Sequence, residues 1–199
     1  MAGKHFSMIR SFHFADFLTI ANGCCGMGAV FQAMRFLQQQ QRAHIYVGAA
    51  LIPLAIVLDV LDGRVARWRQ RQSAMGREMD SLADLISFGV APATIAYAVG
   101  LSTIADQVML MFFAVCGLSR LARYNITAEE LSGTAGKVAY YEGTPIPTSI
   151  IPLAILVAAF HWNHLLPVTV FGVPCHLVAV LFVVSGSLMV SKTLRVPKP

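Results

Sequence analysis

The chain has 199 residues, of which 56% are hydrophobic and only 13% charged, and its mean hydropathy is +0.64. A soluble domain of this size carries about a quarter charged residues, so the composition excludes an all-round aqueous surface and assigns much of it to lipid. The net charge of +5 does not indicate a nucleic-acid partner, because the basic residues flank apolar segments.

The opening stretch, 1–13, mixes Phe6, Met8, Ile9 and Phe12 with Lys4, His5 and Arg10. It reads either as an amphipathic helix lying in the membrane interface or as a tail, and it shows no signal-peptide cleavage pattern. A helix that crosses the hydrocarbon core needs about 20 mostly apolar residues. Runs of that kind extend from Phe14 to Phe36, Ala43 to Val65, Ser81 to Leu101, Ile104 to Tyr124, Ile146 to Trp162 and Leu166 to Val190. The predicted architecture is therefore all-α and polytopic, with six transmembrane helices in one domain covering 1–199. The fifth helix enters after Pro145 and Pro147, which suit a helix start better than an interior. Cys24, Cys25, Cys116 and Cys175 lie in apolar runs without metal-ligand spacing and read as small buried hydrophobes.

Lys and Arg set the orientation, since cytosolic loops carry their excess. With both termini in the cytosol, that side receives Lys4, Arg10, Arg64, Arg67, Arg69, Arg71, Arg77, Arg120, Arg123, Lys137, Lys192, Arg195 and Lys198. Only Arg35 and Arg42 fall on the other side. Both termini and the loops after helices two and four are thus expected in the cytosol. The compact chain favours a prokaryotic cytoplasmic membrane over the endoplasmic reticulum.

The chemistry concentrates in the acids. Of ten acidic residues, four are Asp59, Asp62, Asp80 and Asp84. Asp59 and Asp62 share one face near the end of the second predicted helix, and Asp80 and Asp84 share one face at the start of the third. The short loop between makes the two helices antiparallel neighbours, so the pairs can face each other. Carboxylates at membrane depth are costly and face an interior or a water-filled cavity. An oxygen-only ligand set points to hard cations such as Mg²⁺ or Mn²⁺, and two such ions in a carboxylate cage are a recurring device of phosphoryl chemistry. An ion-conducting path through the aspartates is the competing reading.

From Asp59 the chain reads D-V-L-D-G-R-V-A-R, then eight residues, then G-R-E-M-D-S-L-A-D. Asp59, Asp62, Gly63, Ala66, Arg67, Gly76, Asp80 and Asp84 fall in the register D-x2-D-G-x2-A-R-x8-G-x3-D-x3-D, and in this the chain resembles the CDP-alcohol phosphotransferase family. Three more stretches resemble its phosphatidylserine synthase branch: Leu85 to Pro92, Leu118 to Asn125 and Glu142 to Pro147. The run Leu18 to Gly26 looks like that branch's first helix.

The resemblance implies transfer of the phosphatidyl group of CDP-diacylglycerol to the hydroxyl of L-serine, giving phosphatidylserine and CMP in one displacement. Inositol phosphate, glycerol phosphate or choline are the alternative acceptors within the family. It implies two ions, Mg²⁺ or Mn²⁺, held by Asp59, Asp62, Asp80 and Asp84, with Asp84 also the general base. CDP-diacylglycerol would bind at Asp62, Gly63, Ala66, Arg67 and Asn22, the small residues admitting the flat cytidine. Arg123 and Tyr124, with Arg120, would line the serine pocket, since a guanidinium can grip the serine carboxylate bidentately. The bland reading of both arginines, as topology-setting charges, stays open, and Lys137 could serve either purpose. Family resemblance also implies a homodimer. Ser81 reads as a helix-start residue, Asp16 and Asp106 as helix-start or loop acids, and His161 and His164 as interface residues far from the aspartates.

Overall fold

A computed structural model describes residues 14–68, 74–132, 140–170, 172–191 and 195–197; side chains are described for 15–65, 75–126, 143–169 and 172–191. The opening stretch 1–13 and Lys137 lie outside these residues, as do the side chains of Ala66, Arg67 and Glu142.

Helix α1 (Phe14–Gln39) and helix α2 (Arg42–Trp68) form an antiparallel pair joined by Gln40 and Gln41. Gln40 takes the left-handed conformation (φ 55°) and donates its N–H to the Phe36 carbonyl at 2.7 Å, which closes α1 in the way a glycine commonly does. The third span is continuous but not uniform. Helix α3 (Ala74–Asp84) runs into a π-helical stretch (Leu85–Val90) and then helix α4 (Ala91–Ala98). Helix α5 (Ile104–Ser132) follows. Strand β1 (Tyr140–Glu142), a 3₁₀ turn (Ile146–Ser149) and helix α6 (Ile150–His161) come next. Strands β2 (Pro167–Val170) and β3 (Val173–His176) precede helix α7 (Leu177–Val190), and β4 (Arg195–Pro197) ends the described chain.

Among the described residues, four helical stretches are long and apolar enough to cross a membrane: Ala15–Gln39, Arg42–Val65, Met75–Ala98 and Ile104–Ile126. Their outward faces carry large exposed apolar side chains, among them Phe17, Phe31 and Met34 on α1, Val57 and Val60 on α2, and Met111 and Val115 on α5. An apolar surface of that extent belongs against lipid, because a water-facing protein does not expose it. The chain is an integral membrane protein.

Three sequence expectations are corrected. The third helix begins at Ala74 and not at Ser81, so Asp80 and Asp84 lie in its second and third turns. Its first residues are polar, and hydropathy marks only the part of a helix that suits lipid. The sixth apolar run does not start a helix at Leu166; its first part, up to His176, is the β2–β3 hairpin. Val168, Thr169 and Val173 are β-branched, Gly172 turns with φ +81°, and Pro174 removes a backbone donor, a combination that disfavours helix. The described residues are therefore mostly helical and not all-α, since β1 also pairs antiparallel with β4. The remaining apolar helices, Ile146–His161 and Leu177–Val190, are shorter than the other four. At 1.5 Å per residue α7 is about 21 Å long, less than a core of about 30 Å.

The core lies where the helices converge, with Phe88, Ile95, Phe113, Ile146, Leu156 and Phe182 buried. Phe113 on α5 meets Phe182 on α7 edge to face, with ring centroids 5.2 Å apart, a favoured aromatic arrangement. Position 186 faces α5 so closely that a Cβ there would lie 3.2 Å from the Phe113 Cα; the absent side chain lets the two helices meet.

Candidate metal and phosphotransfer site

The aspartates gather at the end of the bundle away from Arg42. Asp59 is 17 residues beyond Arg42 along α2, about 26 Å at helical rise. Carboxylate oxygens of Asp59, Asp62 and Asp80 lie within 4.8 Å of one another. The facing of the two helices inferred from the motif spacing is thus present: α2 contributes two acids and α3 the third. Asp84, one turn further along α3, is outside this trio.

Helix α1 is packed into the site by one stripe. Thr19, Asn22, Gly23 and Gly26 recur at the spacing of a single helical face. The Thr19 hydroxyl donates to Asp62 Oδ2 at 2.8 Å, and the Asn22 Nδ2 donates to Asp84 Oδ1 at 3.0 Å. A Cβ at position 23 would sit 3.5 Å from the Ala83 Cβ, so the glycine admits α3 to this depth. Both hydrogen bonds are buried: Asn22 is fully enclosed, Asp62 is 5% exposed and Asp84 is 8% exposed. Thr19 and Asn22 thus tie α1 to two motif aspartates, one on α2 and one on α3.

A divalent cation fits these residues. The donor set is all carboxylate oxygen, the preference of hard ions, and the buried Asp80 Oδ1 has no hydrogen-bond partner. An orphaned buried carboxylate oxygen costs desolvation free energy unless something positive or donating meets it. Among the described residues, nothing lies within 4 Å of where a Cβ would stand at Gly63, against the α2 backbone next to Asp62.

Around the acids, α5 is tied to α3 by a network that motif reading did not assign. The Ser81 hydroxyl donates to Asn125 Oδ1 at 3.1 Å, and Asn125 Nδ2 reaches the Glu78 carboxylate at 3.3 Å. Ser81 is thus a cross-helix donor and not a helix-start residue. Asn125 ends the stretch that carries Arg120, Arg123 and Tyr124, and its bonds bring that end of α5 beside α3. Spacing could have flagged the pair, since Glu78 and Ser81 are one turn apart and on one face.

Arg123 has a structural partner: its Nη1 donates to the Val190 carbonyl at the end of α7, at 3.3 Å. A helix C-terminus has unsatisfied carbonyls and partial negative charge, which a guanidinium complements. The loop after β1 docks on the same helix end. The Thr144 N–H donates to the Leu188 carbonyl at 3.2 Å, and Gly143 has φ +76°, where a Cβ would collide with the Met189 carbonyl. Tyr124 is exposed and Arg120 half-buried.

His161 and His164 lie at the opposite end, as expected. The His161 Nδ1 pairs with the Tyr46 hydroxyl at 2.9 Å, while Arg42 donates to Asn163 Oδ1 at 2.5 Å and lies over the Phe160 ring.

The sequence profile of the CDP-alcohol phosphatidyltransferase family matches residues 12–188. A CDP-diacylglycerol–serine O-phosphatidyltransferase of Saccharomyces cerevisiae is 41% identical, over 98% of this chain and 74% of the yeast protein. The protein of the same name from Bacillus subtilis is 34% identical, over 75% of this chain and 76% of its own. That from Mycobacterium leprae is 39% identical, over 71% of this chain but only 45% of the mycobacterial one. Because the similarity runs from α1 into α7 and is not confined to the aspartate motif, this chain belongs to the CDP-alcohol phosphatidyltransferase family.

Proposed function

We infer that the protein transfers the phosphatidyl group of CDP-diacylglycerol to the hydroxyl of L-serine, releasing CMP. The observation that carries the reading is the meeting of Asp59, Asp62 and Asp80 within 4.8 Å, in a chain whose relatives from yeast and bacteria are named for that reaction.

In this reading Asp59, Asp62 and Asp80, with Asp84, hold two divalent ions, Mg²⁺ or Mn²⁺. Bound there, the ions supply charge neutralisation for the pyrophosphate and for the departing CMP. Gly63 and Ala66 leave the α2 backbone open to the cytidine, and Arg67 offers its planar fork to phosphate oxygens. Asn22 occupies Asp84 Oδ1 and leaves Oδ2 to take the serine proton. The serine oxygen then bonds to the phosphorus nearer the diacylglycerol as the bond from that phosphorus to CMP breaks. Arg123, with Tyr124 and Arg120, receives the serine carboxylate. A guanidinium has five donors, so the Val190 anchor and a carboxylate can be served together.

Serine and CMP are water-soluble, which favours a cytosolic position for the aspartate end, with all six helices in the membrane as one domain. The family resemblance favours a homodimer.

The test is CMP release by purified protein given CDP-diacylglycerol and Mg²⁺ or Mn²⁺, with serine, inositol phosphate, glycerol phosphate or choline in turn. Release with serine alone, abolished by a chelator, is the expected result. Release with another acceptor only would keep the aspartate chemistry and remove the serine assignment.

A further inference from the structure

The stretch that follows Asp84 departs from ordinary helix. From Leu85 to Val90 the backbone is π-helical, and the Ala91 N–H donates to the Ile86 carbonyl, five residues back. Such bulges are rare and often mark functional sites. Ser87 lies inside this one, fully buried, and its hydroxyl donates to the backbone carbonyl of Asn22 at 2.9 Å. That carbonyl belongs to the residue whose amide holds Asp84. One turn further along α1, position 26 faces the same serine. A Cβ there would lie 2.5 Å from Ser87 Oγ, 2.6 Å from its Cα and 2.8 Å from its N. Two of those three atoms are backbone, so no rotamer change would relieve the contact, and α1 meets the π segment only because residue 26 is glycine.

Asn22 is thus gripped twice. Its amide points at Asp84 on one side of the bulge, and its own carbonyl is hydrogen-bonded from within the bulge. Asp84 and Ser87 sit on one segment and Asn22 on the other, so the three form a closed bracket across the helix interface. We propose that Ser87, seated against Gly26, is a positioning residue that fixes the Asn22 amide on Asp84. The proposal rests on the reading of Asp84 as the proton acceptor. Ser87 itself touches no substrate; it acts by keeping Oδ1 of Asp84 occupied and Oδ2 directed to the serine hydroxyl. Loss of the hydroxyl leaves Asn22 free to shift on its helix, and a small misplacement at a reacting centre can cost up to about a hundredfold in rate.

Four variants test this: Ser87→Ala, Asn22→Ala, the double variant and Asp84→Asn, each purified and checked for its unfolding temperature. Ser87→Ala should lower kcat about tenfold with the KM for serine and for CDP-diacylglycerol unchanged. In the Asn22→Ala background it should cost nothing more, because the residue it positions is gone. Full kcat in Ser87→Ala, or a loss that multiplies with that of Asn22→Ala, overturns the proposal and makes Ser87 a packing residue. A fully active Asp84→Asn would instead overturn the reading beneath it. Should Ser87→Ala not fold, Ser87→Cys, with its weaker donor, gives the same comparison at nearly constant volume.

Discussion

Two acids at opposite ends of the bundle have opposite surroundings. Asp106 begins α5 and is completely enclosed. Its Oδ2 accepts from the Thr103 hydroxyl at 2.7 Å and the Thr103 N–H at 3.2 Å, and pairs with His176 Nδ1 at 2.8 Å. Its Oδ1 accepts the His176 N–H at 2.9 Å. The Asp106 N–H returns to the Thr103 oxygen at 3.2 Å, which makes a reciprocal cap of the kind that starts helices. Asp80, by contrast, keeps a buried oxygen without a partner and stands within 4.8 Å of two other carboxylates. Asp106 is a finished structural joint that pins the β2–β3 hairpin to α5. Among the described residues nothing completes the Asp80 Oδ1. Satisfaction of the oxygens separates these two acids.

Substitutions should split along the same line. Asp80→Ala is expected to reduce CMP release by on the order of a thousandfold, as loss of a group that serves the transition state does. Its unfolding temperature should hold or rise, since a carboxylate within 4.8 Å of two others is removed. A chelator should silence the unsubstituted protein as thoroughly, with recovery on adding Mg²⁺ or Mn²⁺; activity that survives exhaustive chelation would break the metal half of the comparison. Asp84→Asn should lose at least about a hundredfold in kcat while the protein stays folded.

Arg123→Ala should raise the KM for serine by about tenfold and leave that for CDP-diacylglycerol alone. A fall in stability without a change in KM would assign Arg123 to the α7 terminus only. The smallest effect on turnover belongs to the opposite end. Asp106→Ala strands the Thr103 and His176 donors, at about 1–3 kcal/mol for each group left unsatisfied. Melting in detergent should drop by several degrees with kcat within twofold. A large loss of turnover there would erase the distinction between the two ends.

The acids themselves were legible from spacing. Asp59 and Asp62, and Asp80 and Asp84, fall one turn apart, and a short connection makes their helices neighbours; Asp59, Asp62 and Asp80 duly meet. Asp84 was less legible. Its place depends on how α1 approaches, and that follows from glycines at 23 and 26 whose partners, Ala83 and Ser87, lie about 60 residues away. Ser81 reads as a helix start for a related reason: the helix begins seven residues earlier, in a polar stretch that a hydropathy window does not mark. The β2–β3 hairpin is not legible because an apolar run satisfies a strand and a helix alike, and the bond that His176 donates to Asp106 shows what holds the hairpin in place.

The sequence by itself determined that this chain lives in a membrane, where its apolar runs lie, and which eight residues form the motif. These are properties of composition and local spacing, which need no partner to be read. Only the tertiary structure decided which acids are satisfied and which remain open, that Arg123 closes α7, and that Ser87 and Gly26 clasp the turn of α1 bearing Asn22. Those depend on contacts between distant segments, where a hydrogen bond or a missing Cβ acquires meaning only from the atom that meets it.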